Sequence, residues 1–166
     1  MKKNNKVIFL TQAAMIAALY VVLTLLAAAF GLSSGVIQVR FSEALTVLAF
    51  FTPAAIPGLF IGCILANWLT GALLWDIVFG SLATLVAAVF TYLLRKNKWL
   101  APIPPIVSNT VVVPLILKYV YELEGTIPFF MLTTCAGEII SCGVLGLLLY
   151  HGLDNKYCRR LFTAKV

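Results

Sequence analysis

Six side chains of types that bind or catalyse stand in an otherwise apolar 166-residue chain: Arg40, Glu43, Asn67, Asp76, Asn109 and Glu138. Ionisable groups near lipid cost several kcal/mol unless they face a partner or a water-filled cavity, so by default they mark a site. The first four fall in GVIQVRFSEALTVLAFFTPAAIPGLFIGCILANWLTGALLWD, from Gly35 to Asp76. Carboxylates accept and carboxamides both donate and accept, which suits a planar heterocycle with amino and carbonyl edges. One carboxylate would pair the ring N–H and amino group of a guanine-like base, an Asn would serve its carbonyl and ring nitrogen, and a second carboxylate would hold an ammonium. Trp68 offers a face for stacking. Plainer roles compete: Arg40 and Glu43 are spaced for an ion pair, the two Asn for interhelical hydrogen bonds, and Trp75, Tyr119 and Tyr121 for interface anchors. Glu138 has no Lys or Arg at its expected depth, which favours function over bracing.

Catalysis finds little support. There is no H-E-x-x-H, no Ser/His/Asp set and no phosphate-binding G-x-x-x-x-G-K-[ST], and the single histidine, His151, falls at a helix end. No metal is expected, because no helix presents the paired Glu/His spacing of such sites. Cys135 and Cys142, seven apart on one helix, are too distant to bridge, and Cys63 and Cys158 have no C-x-x-C partner. All four are expected to pack.

These residues must be positioned by membrane helices. The chain is 62% hydrophobic and 11% charged, against about a quarter charged in soluble domains. The net charge of +6 lies in short runs at Lys2, Lys3 and Lys6, at Arg95, Lys96 and Lys98, and at Lys156, Arg159, Arg160 and Lys165. That pattern sets topology rather than binding nucleic acid. The apolar run Val7–Phe30 exceeds a signal-peptide core of about 7–15 residues and reads as a retained first helix. A single domain over 1–166 follows, with helices over about 7–30, 41–51, 54–70, 75–94, 103–121 and 127–150. Six crossings with both termini cytoplasmic put ten of the twelve Lys/Arg inside, leaving Arg40 and Lys118 in the outer half.

The second helix is too short to cross a core of about 30 Å, so it starts earlier or the preceding loop dips into the protein. Gly58 and Gly62 form a close-contact G-x-x-x-G, and Ala13, Ala14, Ala17 and Ala18 form two overlapping small-residue pairs. Glu43, Asn67 and Asp76 are expected near the outer face, with Asn109 and Glu138 about 16–18 Å deep. The resulting excess of acid suits a neutral or cationic ligand.

The run IQVRFSEALTVL, then TPAAIPGLFIGCILAN and the WDIVFGSLATLVAA block, resembles the QueT family, and PPIVSNT and GEII continue the likeness over nearly the whole chain. That family comprises substrate-binding subunits (S components) of energy-coupling factor transporters. The resemblance implies an S-component-like six-helix bundle in the cell membrane that captures a queuosine precursor, such as 7-aminomethyl-7-deazaguanine or a related deazapurine. It implies two kinds of partner, a transmembrane coupling protein and two cytoplasmic ATPases, so that ATP is used there and no cofactor sits on this chain. Ala13 and Ala17, or Ala14 and Ala18, match the surface by which such subunits dock on the coupling protein. Glu138 and Asn109 are expected on the purine edge, Asn67 or Asp76 closes the site, and Arg40 with Glu43 holds the first loop as a lid. The rival readings are an S component for another heterocyclic vitamin or nucleobase, a self-sufficient secondary carrier, and a membrane enzyme.

Overall fold

The computed structural model describes residues 2–32 and 38–155, with side chains from Asn5 onward. Residues 33–37 of the first loop, the basic tail from Lys156 and Cys158 lie outside the described residues. All regular structure described is helical. Helix α1 (Lys2–Ala29) contains neither Gly nor Pro and stops at Gly31, whose φ of 69° turns the chain while the Gly31 and Leu32 N–H groups bond the Ala28 and Ala27 carbonyls. Helix α2 (Phe41–Phe51) opens as a 3₁₀ stretch and closes as one α turn. It is followed by α3 (Ala55–Leu69), α4 (Leu74–Leu93), α5 (Ile103–Tyr119) and α6 (Ile127–Leu153).

Four helical stretches are long and apolar enough to cross a membrane: Asn5–Ala29, Leu74–Leu93, Lys98–Tyr119 and Ile127–Leu153. Their exposed side chains include Leu10, Met15, Phe90, Val107, Leu132 and Leu148. An apolar exterior on long helices requires lipid as solvent, so this is a membrane protein.

The short α2 is explained by the segment before it. The Arg40 N–H bonds Ser141 Oγ at 3.1 Å, and the Gln38 carbonyl lies against Gly137, where any Cβ would collide with it. The chain has therefore descended along α6 before α2 begins. Of the two explanations open for a short second helix, the dipping loop is the one observed.

Close packing of α1 on α3 holds the other side. A Cβ on Gly58 would lie 2.7 Å from the Ala13 carbonyl oxygen, and one on Gly62 would lie 2.8 Å from Tyr20 Cβ. Ala13 and Ala17 are buried in this contact, whereas Ala14 and Ala18 are exposed. The two alanine pairs thus separate: the first is used inside the bundle and the second faces out. Substituting Gly62 by Ala should lower the thermal stability of the detergent-solubilised protein, by about 1–3 kcal/mol if the overpacked neighbours yield. Ala14→Leu, on the outward face, should leave the melting temperature unchanged in the same measurement.

Candidate binding site

At the end of the bundle where α1, α3 and α5 finish and α4 begins, the helices enclose a cavity of about 510 Å³. Thr24 and Ala28 line it from α1, Gln38 and Arg40 from the descending segment, Asn67 from α3 and Thr70 from the cap that ends it. Asp76 lines it from α4, Val113 and Leu117 from α5, and Tyr121 from the loop beyond. Lys6 and Arg95 lie toward the opposite ends of α1 and α4.

Asp76 is the anchored acid of this cavity. It is 8% exposed, and its Oδ2 accepts from the Tyr121 hydroxyl at 2.8 Å, which itself accepts from the Leu73 N–H at 3.3 Å. Burial, then the Asp76 hydrogen bond, raises the Tyr121 phenol above its usual range, so the hydroxyl remains a donor at neutral pH. Gly80 makes room for the other oxygen: a Cβ there would lie 3.2 Å from Asp76 Oδ1 and 3.4 Å from Asn67 Nδ2. Asn67 also donates to Cys63 Sγ at 3.6 Å. A carboxylate oxygen and a carboxamide therefore share one side of the cavity, with the Arg40 guanidinium, bonded to Gln38 Oε1 at 3.1 Å, also on its wall.

A second polar group of residues lies beneath. Asn109, one helical turn below Val113 on α5, donates to Glu138 Oε1 at 2.9 Å. Glu138 Oε2 accepts from the Cys142 thiol at 3.2 Å. Glu43, 1% exposed, accepts from the Tyr20 hydroxyl at 2.6 Å, while Thr24 donates to Ser42 Oγ at 2.8 Å. A π-helical stretch, Ile139–Leu145, starts directly after Glu138. Such widened turns concentrate at functional positions, and this one carries Ser141 and Cys142.

The expected site thus divides in two. Arg40, Asn67 and Asp76 line the cavity; Glu43, Asn109 and Glu138 do not, and belong to a packed polar layer beneath it, here called the floor. Glu43 was expected near the outer face but sits level with Tyr20 and Glu138, because the loop carries α2 down with it. Arg40 and Glu43 turn to different partners, Gln38 and Tyr20, rather than to each other. Trp68 is 69% exposed and is not on the cavity wall, whereas its neighbour Asn67 is buried there. The cavity wall itself carries one acid and one base, Asp76 and Arg40, so the excess of acid is confined to the floor.

Tyr20, Thr24 and Cys142 were missed as polar participants. Their signal was present: Tyr20 and Thr24 share a face of α1 at i, i+4, and so do Glu138 and Cys142 on α6. Cys63 and Cys142 are buried free thiols that act as hydrogen-bond partners as well as packing groups.

Residues 10–155 match the QueT transporter family. The chain belongs to this family. It is 40% identical over 85 residues to a Lactococcus lactis protein named queuosine precursor transporter QueT, an alignment covering 51% of this chain and 49% of that protein. The chain thus spans about half the length of the curated relative it matches. No solved structure matches. The family match takes in the cavity and its floor together, from Tyr20 to Cys142.

The floor should be sensitive to loss of single donors. Tyr20→Phe removes the hydroxyl from a Glu43 carboxylate that is 1% exposed. Leaving that acceptor unsatisfied should cost about 1–3 kcal/mol. The shift is measured as a lowered unfolding midpoint in detergent, and an unchanged midpoint would show that Glu43 finds another donor.

Proposed function

We propose that this QueT family protein is the substrate-capture subunit of an energy-coupling factor importer for a queuosine precursor, 7-aminomethyl-7-deazaguanine or a related deazapurine. The observation that carries the reading is the cavity itself. Its about 510 Å³ falls within the range of about 300–1,000 Å³ usual for small-molecule sites. Its walls combine apolar α5 side chains with an acid, a base and two amides. Val113, Ile116 and Leu117 would receive the faces of a bicyclic base, and Asn67 and Gln38 its polar edges. The second Asp76 oxygen, Oδ1, would hold the ligand ammonium, with Tyr121 fixing the carboxylate from behind. Arg40 and Gln38 belong to the segment above the floor, which would act as a lid. Glu138 and Asn109 would bound the ligand from below rather than bind its edge unaided.

The same reading supplies topology and partners. With six crossings, the lysine-bearing start of α1 and the Arg95–Lys98 connection face the cytoplasm, and the cavity opens outward. The membrane is then the cytoplasmic membrane. A coupling protein and two ATPases would complete the importer, and this chain would carry no cofactor and no catalytic activity. Exposed Ala14 and Ala18, rather than buried Ala13 and Ala17, are the pair free to dock.

Titration calorimetry of the purified full chain tests the ligand. Aminomethyl-deazaguanine should bind at about one per chain, riboflavin should not, and Asp76→Asn should weaken binding about tenfold or more, as expected for loss of a charged hydrogen bond. Absence of binding by folded protein would remove the ligand from the reading. Enlarging Ala14 and Ala18 to Leu should spare that binding and abolish uptake with the partners present. Uptake by this chain alone in vesicles would instead identify a self-sufficient carrier.

A further inference from the structure

Beneath the cavity, one carboxylate oxygen each from Glu43 and Glu138 and the Cys142 sulfur lie within 4.8 Å of one another. The three residues are 1%, 6% and 2% exposed. Most of their polar atoms have neutral donors: Tyr20 for Glu43 Oε1, Asn109 for Glu138 Oε1 and Cys142 for Glu138 Oε2. Glu43 Oε2 is different. It is fully buried and has no hydrogen-bond partner among the described residues. An orphaned carboxylate oxygen is costly in an apolar interior, and a second carboxylate beside it adds like-charge repulsion. A cation removes both costs at once.

We propose that Glu43, Glu138 and Cys142 form a binding site for a divalent transition ion of the zinc type. The donor set selects the ion. A thiol among the ligands disfavours magnesium and calcium, while two carboxylates with one sulfur suit a borderline ion such as Zn²⁺. A tetrahedral ion with ligand bonds of about 2.0–2.3 Å holds its donors about 3.3–3.8 Å apart, so side-chain rotations that draw the donors together by about 1 Å close this cluster. Glu138 and Cys142, four residues apart where the π-helical stretch begins, supply two donors from one helix; Glu43 reaches them from α2 because the first loop has dipped. Three protein ligands leave a fourth position open. On binding, the Cys142 S–H bond breaks as the S–metal bond forms, and the proton leaves to solvent together with any proton shared by the carboxylates. Affinity therefore rises with pH. The site stands independently of the identity of the ligand above it.

The test uses the full chain in detergent, loaded separately with Zn²⁺ and Co²⁺ and freed of excess ion by gel filtration. Elemental analysis should find one Zn²⁺ per chain, and the Co²⁺ form should show a thiolate-to-metal charge-transfer band. Cys142→Ser should abolish the band, and both Cys142→Ser and Glu43→Gln should weaken Zn²⁺ binding by more than about tenfold. Cys135→Ser and His151→Ala, outside the cluster, should leave Zn²⁺ binding and the Co²⁺ band unchanged. Folded wild-type protein without stoichiometric Zn²⁺ or without the Co²⁺ band would overturn the site whatever the variants do. Zn²⁺ that survives in folded Cys142→Ser and Glu43→Gln would overturn it too. None of these readouts involves the deazapurine, so the capture reading and the metal site fail separately.

Discussion

A carboxylate cannot sit in the middle of an apolar bundle without donors, and Glu43 takes its donor from Tyr20 on α1. That one contact ties together the parts of the fold that bear on function. To reach it, the chain after α1 must turn inward, so that Gln38 lies on Gly137 and Arg40 bonds Ser141. Helix α2 consequently starts deep and remains short. The space left at the other end, bounded by α1, α3, α4 and α5, is the cavity.

Small residues make this arrangement possible where the hydrophobic effect does not. Between helices in lipid, close contact depends on packing and hydrogen bonds, and residues without bulk let backbones approach. Gly58 and Gly62 admit the Ala13, Ala17 and Tyr20 side of α1, Gly137 admits the first loop, and Gly80 admits Asp76 and Asn67. Gly62, Gly137 and Gly80 are thus each coupled to a polar residue, Tyr20, Gln38 and Asp76 in turn. The contact that brings Tyr20 inward for Glu43 also turns Ala14 and Ala18 outward.

The polar residues are layered by depth. The upper layer, with Arg40, Asn67, Asp76 and Tyr121, borders a space large enough for a small heterocycle. The lower layer, with Glu43, Asn109, Glu138 and Cys142, is packed, and its groups mostly satisfy one another. Asp76 and Glu43 show the difference. Both are buried carboxylates held by a tyrosine, but Asp76 lies on the cavity wall and Glu43 faces a second acid.

Much of this was legible in the residues themselves. Runs of apolar side chains broken by Gly31, Pro53, Gly71 and the basic Arg95–Lys98 cluster mark helices and connections, because helix length in lipid and charge placement obey one-dimensional rules. Ionisable groups in such runs are rare enough to be noticed singly, so Arg40, Glu43, Asp76 and Glu138 stood out, and motifs spread along the chain carried the family. Only the folded chain decided which of those groups meet. The depth of Glu43 depends on a loop that follows α6 rather than the membrane surface, and no periodicity encodes that path. The direction of Trp68, and the choice between the two alanine pairs, depend on how α1 and α3 rotate against each other. Such rotations are fixed by contacts between residues far apart in sequence, which spacing along one helix cannot express.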